Sequence, residues 1–300
     1  MINNIKPWIQ AARLRTLPLS VSGIIVGSAY AYYQNHFEGL IFILALVTTL
    51  AFQILSNFAN DYGDGIKGTD AHRIGEKRMV ASGIITPQNM KKAVILMSIF
   101  SLAVAVGLIY VSFGAAHFLY SVLFLLLGLA SISAAIKYTV GSTAYGYSGF
   151  GDVFVFVFFG WVSVIGSNFL YTQVIDWKLF LPASSIGLLS VAVLNLNNMR
   201  DIDNDTIAGK NTLVVKMGLQ WAKKYQEACI SIASILFVVF CLLIKVTAIP
   251  VILINIPLIL HIGKIKKSEK YEDFDPELKK VALSTFALSV LFWLTLIFLN

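Results

Sequence analysis

Two stretches of the 300-residue chain concentrate groups able to hold a cation. The first is Asn57-Phe58-Ala59-Asn60-Asp61-Tyr62-Gly63-Asp64, and the second is Asn197-Asn198-Met199-Arg200-Asp201-Ile202-Asp203-Asn204-Asp205. Acidic residues are scarce elsewhere: of 16 Asp and Glu, seven (Asp61, Asp64, Asp70, Glu76, Asp201, Asp203 and Asp205) fall in these stretches or just after the first. On a helix continued through the first motif, Asn57, Asp61 and Asp64 stand at i, i+4 and i+7 and share a face. Asn197, Asp201 and Asp205 follow at i, i+4 and i+8, drifting about 80° round the axis, and Asp203 points away, about 200° from Asp201. Oxygen ligands from Asp and Asn suit a hard cation, and Mg2+ in particular is held by a few carboxylates together with substrate phosphate oxygens. Clustered carboxylates repel one another without a compensating cation. Two matching clusters therefore read as a metal site formed by Asn57, Asp61, Asp64, Asn197, Asp201 and Asp205, rather than as two helix caps. Asp61, Asp201, Asp205 and the adjacent Arg200 are the candidate catalytic groups.

Basic and glycine-rich segments accompany both motifs: Lys67-Gly68-Thr69-Asp70 with Arg73, Lys77 and Arg78 after the first, and Gly209-Lys210-Asn211-Thr212 after the second. Cations beside a metal read as clamps for an anion, above all a diphosphate. Lys67, Arg73, Lys77, Lys137 and Lys210 are the candidates. Lys137 also opens a link to Asp152 rich in Gly and aromatic residues, whose Tyr138, Tyr145 and Tyr147 are placed to close over an aromatic substrate. A molecule with a diphosphate head and a membrane address is a prenyl diphosphate.

The elements that must position these groups are membrane helices. Hydrophobic residues make up 57% of the chain and charged ones 13%, with a mean hydropathy of +0.77. The apolar runs exceed 18 residues and lack the alternation of outer-membrane strands, so the fold class is all-α, a polytopic helical bundle. Nine spans are expected, near 17–33, 39–60, 92–112, 116–138, 151–171, 177–198, 226–245, 248–264 and 281–299. With the N-terminus cytoplasmic, 21 of the 23 Lys and Arg fall on the inside, leaving only Lys178 and Lys245 outside. That split follows the positive-inside rule and turns both acidic motifs toward the cytoplasm. It also explains the net charge of +7 without nucleic acid. Outside links are short, whereas the inside links 61–91, 199–225 and 265–280 are long. The first two carry the motifs, and Lys266–Lys280 reads as a solvated surface. Met1–Arg15 is too polar for a signal peptide. Cys229 and Cys241 share one apolar run about 18 Å apart and cannot pair. His36, His72, His117 and His261 show no ligand spacing. Residues 1–300 read as a single membrane domain, and the recurrence of the motif suggests two related halves, roughly 1–138 and 139–300. Nothing specifies a protein partner.

The chain resembles the UbiA superfamily of intramembrane aromatic prenyltransferases, and within it the 1,4-dihydroxy-2-naphthoate polyprenyltransferases of menaquinone synthesis. The resemblance spans nearly the whole sequence, from Ala12-Arg13-Leu14-Arg15-Thr16-Leu17-Pro18 through both acidic motifs, Tyr145-Gly146-Tyr147, Gly149-Phe150-Gly151-Asp152 and Gly209-Lys210. One departure stands in the first motif. The superfamily pattern wants Asp eight residues after the first Asn, where this chain has Gly65, with Asp64 one place earlier. The resemblance implies Mg2+-dependent transfer of a polyprenyl group from its diphosphate to dihydroxynaphthoate, with loss of CO2 and diphosphate, giving demethylmenaquinone. It implies a multi-pass protein of the cytoplasmic (inner) membrane with its site facing the cytoplasm. Sister branches use 4-hydroxybenzoate, homogentisate or haem acceptors. Two rivals fit less well. A CDP-alcohol phosphotransferase would share Asp61-Tyr62-Gly63-Asp64-Gly65 but needs Ala-Arg where Gly68-Thr69 stand. A cation-coupled transporter would hold its carboxylates near mid-bilayer rather than at span ends.

Overall fold

The computed structural model describes residues 5–69, 75–141 and 144–299, and every regular element among them is helical. In chain order these are α1 (Lys6–Ala12), α2 (Leu17–Tyr33), α3 (Gly39–Lys67), α4 (Pro87–Phe113) and α5 (Phe118–Lys137). After a short 3-10 turn at Tyr145–Tyr147 come α6 (Gly151–Val155), a π-helical stretch Phe156–Val162 and α7 (Ser163–Thr172), which together form one span. The chain continues with α8 (Phe180–Arg200), α9 (Ile202–Ile207), α10 (Leu213–Met217), α11 (Leu219–Leu243), α12 (Ile249–Lys267) and α13 (Phe274–Leu299).

Among the described residues, eight helical segments are long and apolar enough to cross a bilayer. The ninth expected span is α2, which at 17 residues sits at the short end of the spanning range. It is also the most enclosed: every residue from Leu19 to Ala31 is buried, whereas α5 buries only Gly128. α2 and α8 form the middle of the bundle, and α4, α5 and α12 form its lipid-facing wall. Backbones approach closely where small residues meet. Cβ atoms added at Gly23 and Gly27 would overlap Ser163 and Ser167 of α7, and one at Gly160 would lie 2.5 Å from the Ala183 carbonyl oxygen of α8. Small residues at such crossings are how helices pack tightly where lipid supplies no hydrophobic drive.

The feature that matters most for function is the length of α3. Its 29 residues extend about 43 Å, well beyond a hydrocarbon core of about 30 Å, so the turns carrying Asn57 to Lys67 emerge from the apolar layer still helical. Gly68 stops the helix in the left-handed conformation (φ 74°), its N–H returning to the Asp64 carbonyl. α4 starts cleanly, with Thr86 as N-cap accepting the Asn89 N–H and Pro87 at the first helical position. α8 ends differently. Asp201 (φ −98°, ψ 11°) interrupts the helix between α8 and α9, so the second motif bends where the first runs straight. The segment Lys266–Lys280, expected to be solvated, is instead partly interior: Phe274 and Glu277 are buried. Both cysteines are free and buried.

Candidate active site

The ends of α3 and α8 face one cavity of about 380 Å³. Its polar end is lined by Asn57, Asn60 and Asp64 from α3 and by Asn197, Asp201, Asn204 and Asp205 from the α8–α9 corner. Arg13, Arg15, Arg78 and Lys210 line the same end. Deeper in, the walls become apolar, with Leu19 and Ile24 of α2, Phe52 of α3, Phe158, Phe159 and Val162 of the π-helical stretch, and Val193 and Leu194 of α8. One compartment therefore joins a mouth of charged and amide side chains to an apolar interior.

The first motif differs from the expected single face. Asn57 and Asp64 line the cavity, but Asp61, 1% exposed, turns the other way, and its two carboxylate oxygens accept the backbone N–H groups of Met79 (3.0 Å) and Val80 (2.9 Å). Asn60, four residues before Asp64, takes the cavity-facing position. Helical phase alone does not choose between them, since Asn57, Asn60 and Asp64 span the same arc of about 60° as Asn57, Asp61 and Asp64; packing does, because the Met79 and Val80 amides claim Asp61, which ties the loop after α3 back to its own helix. That loop brings Arg78 to the cavity, its Nη2 4.0 Å from Asp64. Asn57 spends its amide on the N-terminal segment, donating to the Ala12 carbonyl (2.8 Å) and the Thr16 hydroxyl (3.2 Å). Arg13, next along, is held in the left-handed region (φ 50°) while lining the cavity. Non-glycine residues in that region cost about 1–3 kcal/mol and gather at functional sites.

In the second motif Asp205 lies 3.6 Å from the Lys210 ammonium, and the Lys210 N–H donates to the Asp205 carbonyl. Asp203 is exposed and does not line the cavity. Arg200, expected among the catalytic groups, lies behind the cavity wall, 1% exposed. Its Nε and Nη2 bond the two oxygens of Asp201 at 2.8 Å each, Nη2 also bonds Asn197 Oδ1 (2.8 Å), and Nη1 reaches Asp275. Arg200 thus orients two cavity-lining side chains without facing the cavity itself.

The link after α5 is pinned onto α3. Thr139 donates to the Ala59 carbonyl (3.1 Å), and its side chain rests on Gly63, where a Cβ would come within 2.6 Å of the hydroxyl. This carries Tyr138 and Tyr145 to the cavity wall, where Tyr145 stacks on Phe154 at 4.0 Å between centroids. Tyr147 does not line the cavity but braces it: its hydroxyl bonds Asp64 Oδ1 (2.8 Å) and Thr69 Oγ1 (2.6 Å), and its ring lies 4.1 Å from the Lys67 ammonium. Burial, then the Asp64 charge, push the Tyr147 phenol up, so it keeps its proton and serves as a donor.

Of the expected diphosphate clamps, Lys210 lines the cavity; Lys67, Lys77 and Lys137 are exposed and do not. Arg73 lies outside the described residues. Arg78, Arg13 and Arg15 occupy the positions the lysines were expected to take, consistent with the bidentate geometry that guanidinium offers phosphate oxygens. Glu76 and Asp275, which pair with Arg15 at 2.9 and 3.3 Å, were also missed. The four-residue spacing of Asn197-Asp201 is shared by Asn60-Asp64, a signal that could have found Asn60, but Asn57-Asp61 has it too, so nothing in the spacing sets Asp61 apart. His261 is buried, bonded to Glu277 (2.7 Å) and Gln226 (3.1 Å), a structural cluster away from the cavity.

The cavity mouth sets hard oxygen donors against cations, a combination that fits Mg2+ together with a diphosphate. Among the described residues no three Asp, Glu, His or Cys side chains converge on one metal position. That is in keeping with Mg2+, which takes one or two carboxylates and completes its octahedron with water and substrate phosphate.

This helical bundle carries two acidic corners over a cavity with apolar side-chain walls, and the profile of the UbiA prenyltransferase family matches residues 20–286. The chain belongs to that family. It is 48% identical over 236 residues to a 1,4-dihydroxy-2-naphthoate octaprenyltransferase of Escherichia coli, covering 78% of this chain and 75% of that one. A protein of the same description from Haemophilus influenzae is 40% identical over 306 residues, covering 99% of this chain and 98% of its own. A solved UbiA homolog from Archaeoglobus fulgidus, bound to GPP and Mg2+, shares the fold at a TM-score of 0.66 and 14% identity, covering 95% of this chain and 99% of that one.

Proposed function

We propose that this protein transfers a polyprenyl group from polyprenyl diphosphate to 1,4-dihydroxy-2-naphthoate, releasing CO2 and diphosphate and yielding the quinol form of demethylmenaquinone. The observation that carries the reading is the single cavity in which Asp64, Asp201 and Asp205 share the mouth with Arg78 and Lys210 while the interior is apolar. The names of the relatives supply the acceptor. The diphosphate is held at the mouth by Arg78 and Lys210, and the isoprenoid tail lies along Phe158, Phe159, Val162 and Leu194. Asn60, Asp64, Asn197, Asp201 and Asp205 are the residues that would hold Mg2+. Bound there with the diphosphate, Mg2+ supplies charge neutralisation of the leaving group, so that positive charge can develop on the allylic carbon.

The chain's own residues do the remainder. The apolar walls exclude water, which would otherwise capture the allylic cation. The Tyr138 and Tyr145 rings form the wall against which an electron-rich naphthol ring can lie, between the cation and the cytoplasm. Tyr147, bonded to Asp64, keeps that carboxylate's orientation fixed as charge moves to the diphosphate, which limits reorganisation during the step. The membrane is proposed to be the cytoplasmic membrane, with the N-terminus and the cavity mouth on the inner side. The halves 1–138 and 139–300 are proposed to descend from one unit, since α3 and α8 each bring an Asn-x3-Asp corner to the same cavity.

Purified protein in detergent, supplied with a prenyl diphosphate, should release diphosphate and CO2 in equal amounts only when dihydroxynaphthoate is added. Equal turnover of 4-hydroxybenzoate, or diphosphate release with no acceptor present, would overturn the assignment.

A further inference from the structure

Asp275, in the first turn of α13, belongs to neither acidic motif, yet it sits where two arginines meet. It accepts Arg200 Nη1, and it accepts Arg15 Nη1 at 3.3 to 3.4 Å. Arg200 in turn holds both oxygens of Asp201 and Oδ1 of Asn197, and Arg15, which lines the cavity, also pairs with Glu76 at 2.9 Å. Gly75 lies against the same guanidinium: a Cβ there would be 3.1 Å from Arg200 Cζ. Four separate segments therefore converge on this point: the residues before α2, the loop after α3, the end of α8 and the start of α13.

The charges explain why a third segment is needed. A guanidinium bonded to both oxygens of one carboxylate neutralises most of its charge, and a neutralised Asp201 is a poor ligand for a divalent cation. Here Arg200 divides its charge between Asp201 and Asp275, and Arg15 divides its own between Asp275 and Glu76, so neither guanidinium is spent on one carboxylate alone. A carboxylate has about four lone-pair directions, and Arg200 takes one on each oxygen of Asp201, which lines the cavity. Without Asp275, Nη1 of a guanidinium that is fully buried would lose its acceptor, and the whole charge of Arg200 would bear on Asp201. Burial itself is not the role of Asp275, since its side chain remains 33% exposed.

We propose that Asp275 is a positioning residue for the metal site, acting through Arg200 to fix the orientation and preserve the charge of Asp201, and through Arg15 to couple that setting to the N-terminal segment. The inference rests on the Mg2+ reading of the cavity, so its test must separate the two.

The full-length protein in detergent, with inorganic diphosphate present, can be titrated with Mn2+ while free Mn2+ is followed by electron paramagnetic resonance. Wild type should bind, and Asp201→Asn should lose binding. Asp275→Asn should weaken Mn2+ binding about ten-fold or more with little change in metal-free melting temperature, and Asp275→Glu should recover most of the affinity. Arg200→Lys keeps a charge but cannot span Asp201 and Asp275 together, and it should show a similar loss even if Asp275→Asn proves hard to produce. In transfer assays Asp275→Asn should need more Mg2+ for half-maximal rate, with the KM for the aromatic acceptor unchanged. Wild-type Mn2+ affinity in Asp275→Asn or in Arg200→Lys, alongside loss in Asp201→Asn, overturns the positioning role alone. Equal Mn2+ binding by wild type and Asp201→Asn overturns the metal site, and this inference with it.

Discussion

Residues that look alike in the sequence are assigned unlike work by their partners. Asp64, Asp201 and Asp205 line the cavity, whereas Asp61 is occupied by the Met79 and Val80 amides and Asp203 is exposed. Substituting Asn for Asp64, Asp201 or Asp205 keeps the size and removes the charge. Each should lower prenyl transfer by about two orders of magnitude or more, a loss of about 2.7 kcal/mol in transition-state stabilisation, and the magnesium requirement of any residual activity should rise. Asp203→Asn should stay within a few-fold of wild type. Asp61→Asn is expected to act on stability instead: an amide NH2 now confronts a backbone N–H, and leaving that buried donor unpaired costs about 1–3 kcal/mol. Thermal melting and rate against magnesium concentration, measured together for all five variants, distinguish the two kinds of loss. A folded Asp61→Asn with normal melting and a steep magnesium demand would return Asp61 to the metal site.

At the scale of elements, a helix longer than the membrane and a helix that breaks at the membrane edge do equivalent jobs. α3 carries its polar stripe out of the hydrocarbon intact, and α8 delivers Asp201 at a bend and Asp205 on the short α9. Both are held by an inner layer of close crossings, of which the π-helical stretch is the most demanding. π-Helical insertions cluster at functional sites, and this one sets Phe158, Phe159 and Val162 on the cavity while Gly160 packs against Ala183 and Gly187. Gly160→Val would force the π-helical stretch away from α8, since even a Cβ comes within 2.5 Å of the Ala183 oxygen. Overpacking of this kind costs about 1–3 kcal/mol. The variant should melt lower and, because the wall of the tail region shifts, should change the relative rates with short and long prenyl diphosphates. Unchanged melting and unchanged chain-length preference would show that the crossing tolerates separation.

For the whole molecule, the asymmetry of charge and loop length implies one orientation in the membrane. In a background lacking Cys229 and Cys241, single cysteines at Thr69 and Asn211 should be labelled by an impermeant thiol reagent from one side and a cysteine at Asn300 from the other. Labelling of all three from the same side would contradict nine crossings with α2 counted among them.

Composition, hydropathy and the two Asn/Asp motifs were enough to define an all-helical multi-pass protein and, with the resemblance they carry, a prenyltransferase of the naphthoate branch. Span length and polar patterning are properties of local sequence, and the bilayer acts on them directly. Which carboxylates face the cavity was not legible, because on a helix a shift of one residue turns a side chain by about 100°, and only packing against Met79 and Val80 selects the phase that removes Asp61. Nor was the choice of Arg13, Arg15 and Arg78 over Lys67, Lys77 and Lys137, since positive-inside placement gives all of these residues the same sequence signature. Asp275 lay furthest from view. Its two arginines are 75 and 260 residues away in the chain, and nothing but the tertiary fold brings them to one carboxylate.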